Sequence, residues 1–272
     1  MLPLINLHNH SNHSDGTLEP GALACEAARA GIKYFSLTDH DTVGGWAEIE
    51  PALKDAGITY CRGVELTTNF HDNLHVLGYG VNILNPEFLS GMALCRQKRL
   101  ERLKKIMGLL RAQGLDVGFE ELRACAGRTM GRPHIAELLK KKGIVKSRKQ
   151  GFQQYVAFGR PAYVPPSGPD VEEAIRAVKK AGGLAVLAHP AAVKDVLDLP
   201  RWKDAGLDGI EAFYPSHSST FTRELIALAA RYGLFVTAGA DFHGPGTDRD
   251  KMSGFEYSEE MYTGIKKMFI WT

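Results

Sequence analysis

Six short β-prone runs in this chain carry, or end in, a histidine or a carboxylate, and that repetition restricts the fold more than any other feature. Leu4–His8 leads into His8-Asn9-His10, with Asp15 in the loop beyond. Tyr34–Thr38 ends at Asp39-His40-Asp41, Thr59–Leu66 carries Glu65, and Leu74–Val81 carries His75. Gly183–Ala188 ends at His189-Pro190, and Leu234–Ala238 leads to Asp241-Phe242-His243. A seventh run, Gly209–Phe213, is followed by His217. Residues i and i+2 of an extended chain face the same way, so His8 with His10, and Asp241 with His243, can each reach one ion.

Helical patterns fill the gaps, at 19–30, 45–56, 86–112, 171–181, 222–232 and 258–268. The connection after Glu65 is too short for a helix, which predicts a hairpin between the third and fourth runs. The rest alternates strand with helix. The expected fold is α/β, a distorted seven-stranded (β/α)7 barrel whose C-terminal strand ends converge on one face. The rhythm breaks once. Residues 116–160 read as a basic helical insertion covering the active site, between barrel segments 1–115 and 161–272.

Charge is unevenly spread. Residues 96–160 hold 17 Lys/Arg against 5 Asp/Glu, a net +12, while the remaining residues carry −10. An excess of that size forms a patch for an anionic partner, beside an acidic body that suits cations. The 272 residues, 44% hydrophobic, are enough for a full core. The N-terminus has no basic segment before its short apolar run, and no stretch is long enough to span a bilayer, so a cytoplasmic protein without membrane or obligate protein partner is expected. Cys25, Cys61, Cys95 and Cys125 have no CxxC spacing and read as buried packing thiols. His13 and His71 read as exposed loop residues.

Imidazole together with carboxylate suits Zn, Mn or Fe rather than Ca. Nine candidate ligands (His8, His10, Asp15, His40, Glu65, His75, His189, Asp241 and His243) exceed the needs of one ion and suit two or three, with Glu65 as a bridge. Ions so placed generate hydroxide at neutral pH and clamp the oxygens of a displacement at phosphorus. No Ser or Cys nucleophile motif is present, which favours direct attack by a metal-bridging hydroxide.

These motifs, in this order along the whole chain, resemble the PHP (polymerase and histidinol phosphatase) superfamily. The resemblance implies a trinuclear site, often filled by Mn. One ion would take His8, His10, Glu65 and Asp241; a second Asp15, His40 and His243; a third Glu65, His75 and His189. Gly131-Arg132-Pro133-His134-Ile135-Ala136 and Tyr163-Val164-Pro165-Pro166 are similar to one branch, which contains 3′,5′-nucleoside bisphosphate phosphatases and a 5′→3′ exoribonuclease that trims short RNA. The branch implies a grip on a second phosphate by Arg99, Arg102, Arg132 and His134. Arg99 and Arg102 are i, i+3 on one helix face, and the guanidinium fork matches phosphate oxygens. Pro133 departs from the exoribonucleases, which have Gly or Thr there, and removes a backbone donor. Arg160 is a further candidate phosphate ligand. Asp15, His189 and His217 are the candidate catalytic groups, His217 as proton donor or phosphate ligand.

The expected activity is hydrolysis of a phosphomonoester from a nucleotide with a second phosphate, such as a 3′,5′-nucleoside bisphosphate, or trimming at the 5′ end of short RNA. A histidinol-phosphate or broad small-molecule phosphatase is the alternative, and a nucleic-acid-binding module with a vestigial metal site is a third reading.

Overall fold

The computed structural model describes residues 2–126, 129–191, 193 and 197–269. Nine strands lie in two sheets among these residues. One sheet runs β3 (Thr59–Tyr60), β2 (Ile32–Phe35), β1 (Leu4–Asn6), β9 (Phe255–Glu256). The other runs β4 (Gly63–Thr67), β5 (His75–Tyr79), β6 (Leu184–Leu187), β7 (Leu207–Phe213), β8 (Phe235–Ala238). Helices α1 (Pro20–Arg29), α2 (Trp46–Asp55), α7 (Val171–Lys180), α8 (Leu199–Asp204), α9 (Ser219–Arg231) and α10 (Glu259–Phe269) flank them.

The hairpin expectation holds: β4 and β5 pair antiparallel from Gly63 opposite Tyr79 to Thr67 opposite His75. Pairing of β5 with β6 is also antiparallel, whereas β6–β7, β7–β8, β1–β2 and β2–β3 are parallel. The run expected as one strand, Thr59–Leu66, is divided. Tyr60 pairs with Phe35 in one sheet, the chain turns through Cys61 and Arg62, and Val64 pairs with Gly78 in the other. Two isolated parallel bridges, Asn9–Phe242 and His40–Glu65, join the sheets beyond the ends of β1, β2 and β8. Backbone bonds Leu7 N–H to Ala238 O (2.9 Å) and His10 N–H to Phe242 O (2.8 Å) extend the first junction. The metal-binding motifs are therefore also the seams between the sheets. Helix α8 and strand β9 have no counterpart in the sequence reading, being too short for a periodic signal.

Long helix α3 (Pro86–Ala112) starts where the sequence marks it. Asn85 caps it through its side chain and Pro86 fills the first position, where no N–H is needed. Its second half leaves the sheets. Leu103, Ile106 and Leu110 pack with Leu122, Ile135, Leu139 and Val156 in a core separate from those of the two sheets. That core gathers α4 (Phe119–Ala124), α5 (Arg132–Lys141), α6 (Arg148–Gly151) and a π-helical turn, Phe152–Val156. The helical unit thus draws in part of α3, because the apolar stripe of that helix needs a partner beyond the sheet edge. No described helix is long and apolar enough to cross a membrane. Of the cysteines only Cys61 is buried; Cys25 is exposed on α1, and Cys95 and Cys125 are half-buried, so the packing-thiol expectation is corrected for Cys25.

Because the helical core is separate, Leu139→Ala, which empties a fully buried position, should cost about 2–5 kcal/mol there. Hydrogen exchange should quicken across 103–164 while β4–β8 stay protected; loss of protection in both places would show one shared core.

Candidate metal centre

Six histidines and three carboxylates meet at the junction of the two sheets. His8 and His10, two residues apart, both direct Nε2 at the same pair of oxygens. His8 Nε2 lies 3.2 Å from Glu65 Oε2 and 3.3 Å from Asp241 Oδ1; His10 Nε2 lies 3.1 Å from each. His40 Nδ1 approaches Glu65 Oε2 at 3.2 Å, and His75 Nδ1 and His189 Nε2 approach its other oxygen at 2.8 and 3.0 Å. Asp15 Oδ1 is 3.2 Å from His243 Nε2. Three overlapping groups have ligand atoms close enough to share an ion: His8, His10, Glu65, Asp241; His10, Asp15, His40, His243; and His40, Glu65, His75. The second adds His10 to the resemblance-based set, and the third takes His40 where that set has His189, which instead approaches the same Glu65 oxygen as His75.

Chemistry of the donor set fits ions. His8 Nε2, His10 Nε2, Asp15 Oδ1, His40 Nδ1, Glu65 Oε2 and Asp241 Oδ1 are all buried without a hydrogen-bond partner. Orphaned polar atoms of this kind are rare and costly, and here they converge rather than scatter. Three nonglycine residues of the site, Asp41 (φ 52°), His189 (φ 26°) and Asp241 (φ 52°), have positive φ. Each such residue costs about 1–3 kcal/mol and persists only where surrounding contacts enforce it.

Those contacts are visible. Glu211, on β7, accepts from His8 Nδ1 (3.1 Å) and from the backbone N–H of His189 (2.9 Å). It fixes the His8 tautomer so that Nε2 is free for an ion. Gly239 is required beside it, since a Cβ there would lie 2.3 Å from His8 Cβ and 2.4 Å from Glu211 Oε1. Asp39 accepts from the Ser11 N–H (2.8 Å) and from both Ser11 and Ser14 hydroxyls (2.6 Å), holding the loop after β1. Asp41 accepts from the Thr67 N–H and hydroxyl. Asp241 Oδ2 takes the Tyr214 hydroxyl (3.1 Å) and the Arg249 guanidinium (2.8 Å). None of Glu211, Tyr214 and Arg249 was singled out from sequence. Glu211 alone had a usable signal: one acid inside the apolar run Gly209–Phe213.

Electrostatics follow from this crowding. Burial opposes charge on His10, but the Asp241 and Glu65 carboxylates beside it outweigh that and raise it to about 9. For His8, burial is likewise outweighed by Asp241, Glu211 and Glu65, which hold it well above the usual imidazole range. Burial would raise Glu65 and Asp15, yet neighbouring histidines hold both well below the usual carboxylate range; Asp241 is held down chiefly by Arg249 and His8. At His40 and His75 burial wins instead and lowers both imidazoles.

A 100 Å³ cavity opens over the centre. Asp15, His40, His75 and His189 line it together with Arg99, Arg102, Arg132 and Arg249. Arg99 donates to Thr67 Oγ1 (2.9 Å) and sits 3.4 Å from Asp41. Arg102 and Arg132 share Asp72, at 2.6 and 2.9 Å. Burial pushes the Arg132 guanidinium down to about 10 despite Asp72, as expected of cations crowded around one anion. Beyond Asp15 and Arg249 lies a second cavity of 250 Å³, walled by His243, Ala136, Arg148 and Phe152. A larger 420 Å³ groove between α3 and α7 contains none of the candidate ligands.

Other sequence candidates fall elsewhere. His134 lines neither cavity; its Nδ1 accepts the Gly131 N–H at 2.9 Å and caps α5, and burial pushes it down to about 4. Pro133 starts that helix, where a missing N–H costs nothing. Arg160 is exposed and lines neither cavity. His217 lines neither cavity; it bonds Ala212 O through Nδ1 and packs on Tyr214 (5.1 Å). His13, expected exposed, is buried and pairs with Glu48 at 3.0 Å, because the loop after β1 folds inward over α2. His71 is half-buried and accepts the Asn73 N–H.

Comparison with known proteins agrees with this geometry. Residues 6–158 match the PHP domain family model. The chain is similar to a 3′,5′-nucleoside bisphosphate phosphatase of Chromobacterium violaceum, 34% identical over 89% of this chain and 88% of that one. It is similar to a 5′-3′ exoribonuclease of Haemophilus influenzae, 30% identical over 88% of this chain and 90% of that one. A solved structure from Chromobacterium violaceum, described as an amidohydrolase with bound sulfate and no metal, superimposes with a TM-score of 0.86 at 31% identity, covering 97% and 96% of the two chains.

Metal binding at His8 and His10 must displace protons from imidazoles whose affinity for them is raised. His10, raised to about 9, is protonated at pH 7 in the ion-free protein. Apparent metal affinity should therefore fall as pH drops below 9, about tenfold per unit for each proton displaced. Calorimetry in buffers of different ionisation enthalpy should show net proton release at pH 7. Glu211→Gln should lower metal affinity about 10–100-fold with the fold intact; unchanged affinity would remove Glu211 from its supporting role.

Proposed function

The chain belongs to the PHP domain family, and we propose that it is a metal-dependent phosphoesterase that cleaves a phosphomonoester from a nucleotide bearing a second phosphate. The observation that carries this reading is the 100 Å³ cavity, lined by four candidate metal ligands together with four arginines. A substrate with one phosphate needs the ligands only. A bisphosphate also engages the arginines. The names of the Chromobacterium violaceum phosphatase and the Haemophilus influenzae exoribonuclease support the same substrate class, and trimming of short RNA from a 5′ phosphate would use the same groups.

In this reading the ions are held by His8, His10, Glu65 and Asp241, by His10, Asp15, His40 and His243, and by His40, Glu65 and His75 with His189 alongside. Mn, Fe and Zn all suit these donors, with Mn favoured by the family. When bound, such ions lower the pKa of water and neutralise charge developing at phosphorus. The side chains do the rest. Arg99, Arg102 and Arg132 hold the second phosphate by charge-assisted hydrogen bonds and set the distance between the two phosphates. Asp15, kept ionised, faces the cavity as a proton acceptor. Tyr214 keeps its proton on Oη, donating to Asp241, and His217 packs behind it. Asp72 holds Arg102 and Arg132 in place between substrates.

The two sheets, joined at Asn9–Phe242 and His40–Glu65, are read as a distorted seven-stranded barrel of β1, β2 and β4–β8. Residues 116–160 form the insertion that closes over its mouth and excludes water. Unpaired thiols fit the reducing cytoplasm.

A panel of a nucleoside 3′,5′-bisphosphate, histidinol phosphate and a short 5′-phosphorylated RNA tests the reading. The bisphosphate should give the highest kcat/KM, by about tenfold or more over histidinol phosphate. His10→Ala and Asp241→Asn should each abolish turnover. Arg132→Ala should raise KM for the bisphosphate about tenfold with little change for histidinol phosphate. Equal efficiency on both small substrates would sink the two-phosphate model.

A further inference from the structure

The two cavities share Asp15, Asn73, Pro133, Phe152 and Arg249, and nothing described so far uses Phe152. Phe152 lines both, and apart from histidines it is the only aromatic side chain lining either among the described residues. It opens the π-helical turn Phe152–Val156, in which the Ala157 N–H bonds Phe152 O at 2.9 Å. A π turn adds one residue to the helical repeat and re-aims the side chains on it, and such turns concentrate at functional sites. One consequence is seen in this structure: the half-buried ring stands at the boundary between the arginine-lined cavity and its larger neighbour.

The ring is also held. The Arg132 guanidinium lies 4.9 Å from its centroid, and Arg132 is fixed by Asp72 at 2.9 Å and Val156 O at 3.3 Å. The cation is thus committed to both the phosphate side and the ring. A planar, polarised ligand fits beside such a pair, because stacking on an aromatic face tolerates any base. The 250 Å³ cavity is otherwise lined by apolar Pro133 and Ala136 and, besides groups of the metal centre, by the polar side chains of Asn73, Arg148, Thr247 and Asp248, which leaves Phe152 as its one flat apolar face.

We propose that Phe152 is the nucleobase platform of this chain: the base stacks on its ring in the larger cavity, while Arg132 links ring and phosphate pocket. The proposal rests on the phosphoesterase reading above and deepens it by naming what selects a nucleotide over a bare sugar phosphate. The platform accepts purines and pyrimidines and adds nothing for compounds without an aromatic ring.

Binding decides this independently of turnover. The fluorescence of 1,N6-ethenoadenosine 5′-monophosphate is titrated with the metal-loaded protein, wild type, Phe152→Leu and Phe152→Tyr, and ribose 5-phosphate is measured by competition. Phe152→Leu should weaken the nucleotide about tenfold or more, leave ribose 5-phosphate within about twofold, and remove the fluorescence change that accompanies stacking; Phe152→Tyr should restore all three. Equal weakening of both ligands, or of neither, overturns the platform. A wild-type protein that binds the nucleotide no tighter than the sugar phosphate also overturns it. Failure of the wild type to hydrolyse any phosphomonoester would overturn the phosphoesterase reading alone, since the binding comparison stands without turnover.

Discussion

The carboxylate of Glu65 holds this structure together. Its two oxygens lie within 3.2 Å of five imidazole nitrogens, from His8, His10, His40, His75 and His189. Its backbone pairs with His40 in one of the two bridges between the sheets, and its O accepts the Asp41 N–H at 2.9 Å. One fully buried residue is therefore both a seam of the fold and the hub of the site. A buried carboxylate is costly unless its partners are well placed, so the requirement for those partners propagates outward. Glu211 must orient His8, Gly239 must leave room for Glu211, and Asp41, His189 and Asp241 must accept strained backbone. The fold and the site are one constraint seen from two sides.

That coupling explains which parts were readable in the chain. His8 and His10 announced themselves because a local rule, two residues apart on extended backbone, coincided with a strand end; Asp241 and His243 share the spacing, but Asp241 has positive φ and the two serve different ligand groups. Helix α3 was bounded correctly because Asn85, Pro86 and Gly114 act locally. The β4–β5 hairpin followed from a short connection. What stayed hidden is nonlocal. Arg249 reaches Asp241 from a loop without pattern. Glu211 was legible only as an anomaly in an apolar run. The break at Cys61 and Arg62, where one strand-like run serves two sheets, depends on partners far away in sequence. His134 and His217 looked like site residues by type, but one caps a helix and the other backs Tyr214, which only geometry reveals. His13 was misread for the same reason.

Charge patterning gave a coarse answer that the structure made specific. The excess of +12 in residues 96–160 suggested an anion, yet many of those side chains, including Arg160, lie on exposed surface. Three of them, Arg99, Arg102 and Arg132, turn inward and with Arg249 line the same small cavity as the metal ligands. Burial raises the value of those few, since fixed cations away from bulk water act on a phosphate through a lower dielectric. Asp72 keeps two of them from repelling each other and ties the helical unit to the β4–β5 loop.

The account stands or falls on whether convergent ligands hold ions that the reaction needs. Metal content per chain, measured by elemental analysis alongside hydrolysis of a nucleoside 3′,5′-bisphosphate during stepwise chelation, addresses that directly. The account predicts two or three transition-metal ions per chain, with turnover lost as they are withdrawn and regained on their return. Fewer than two ions in the active protein, or turnover that survives their removal, would contradict it.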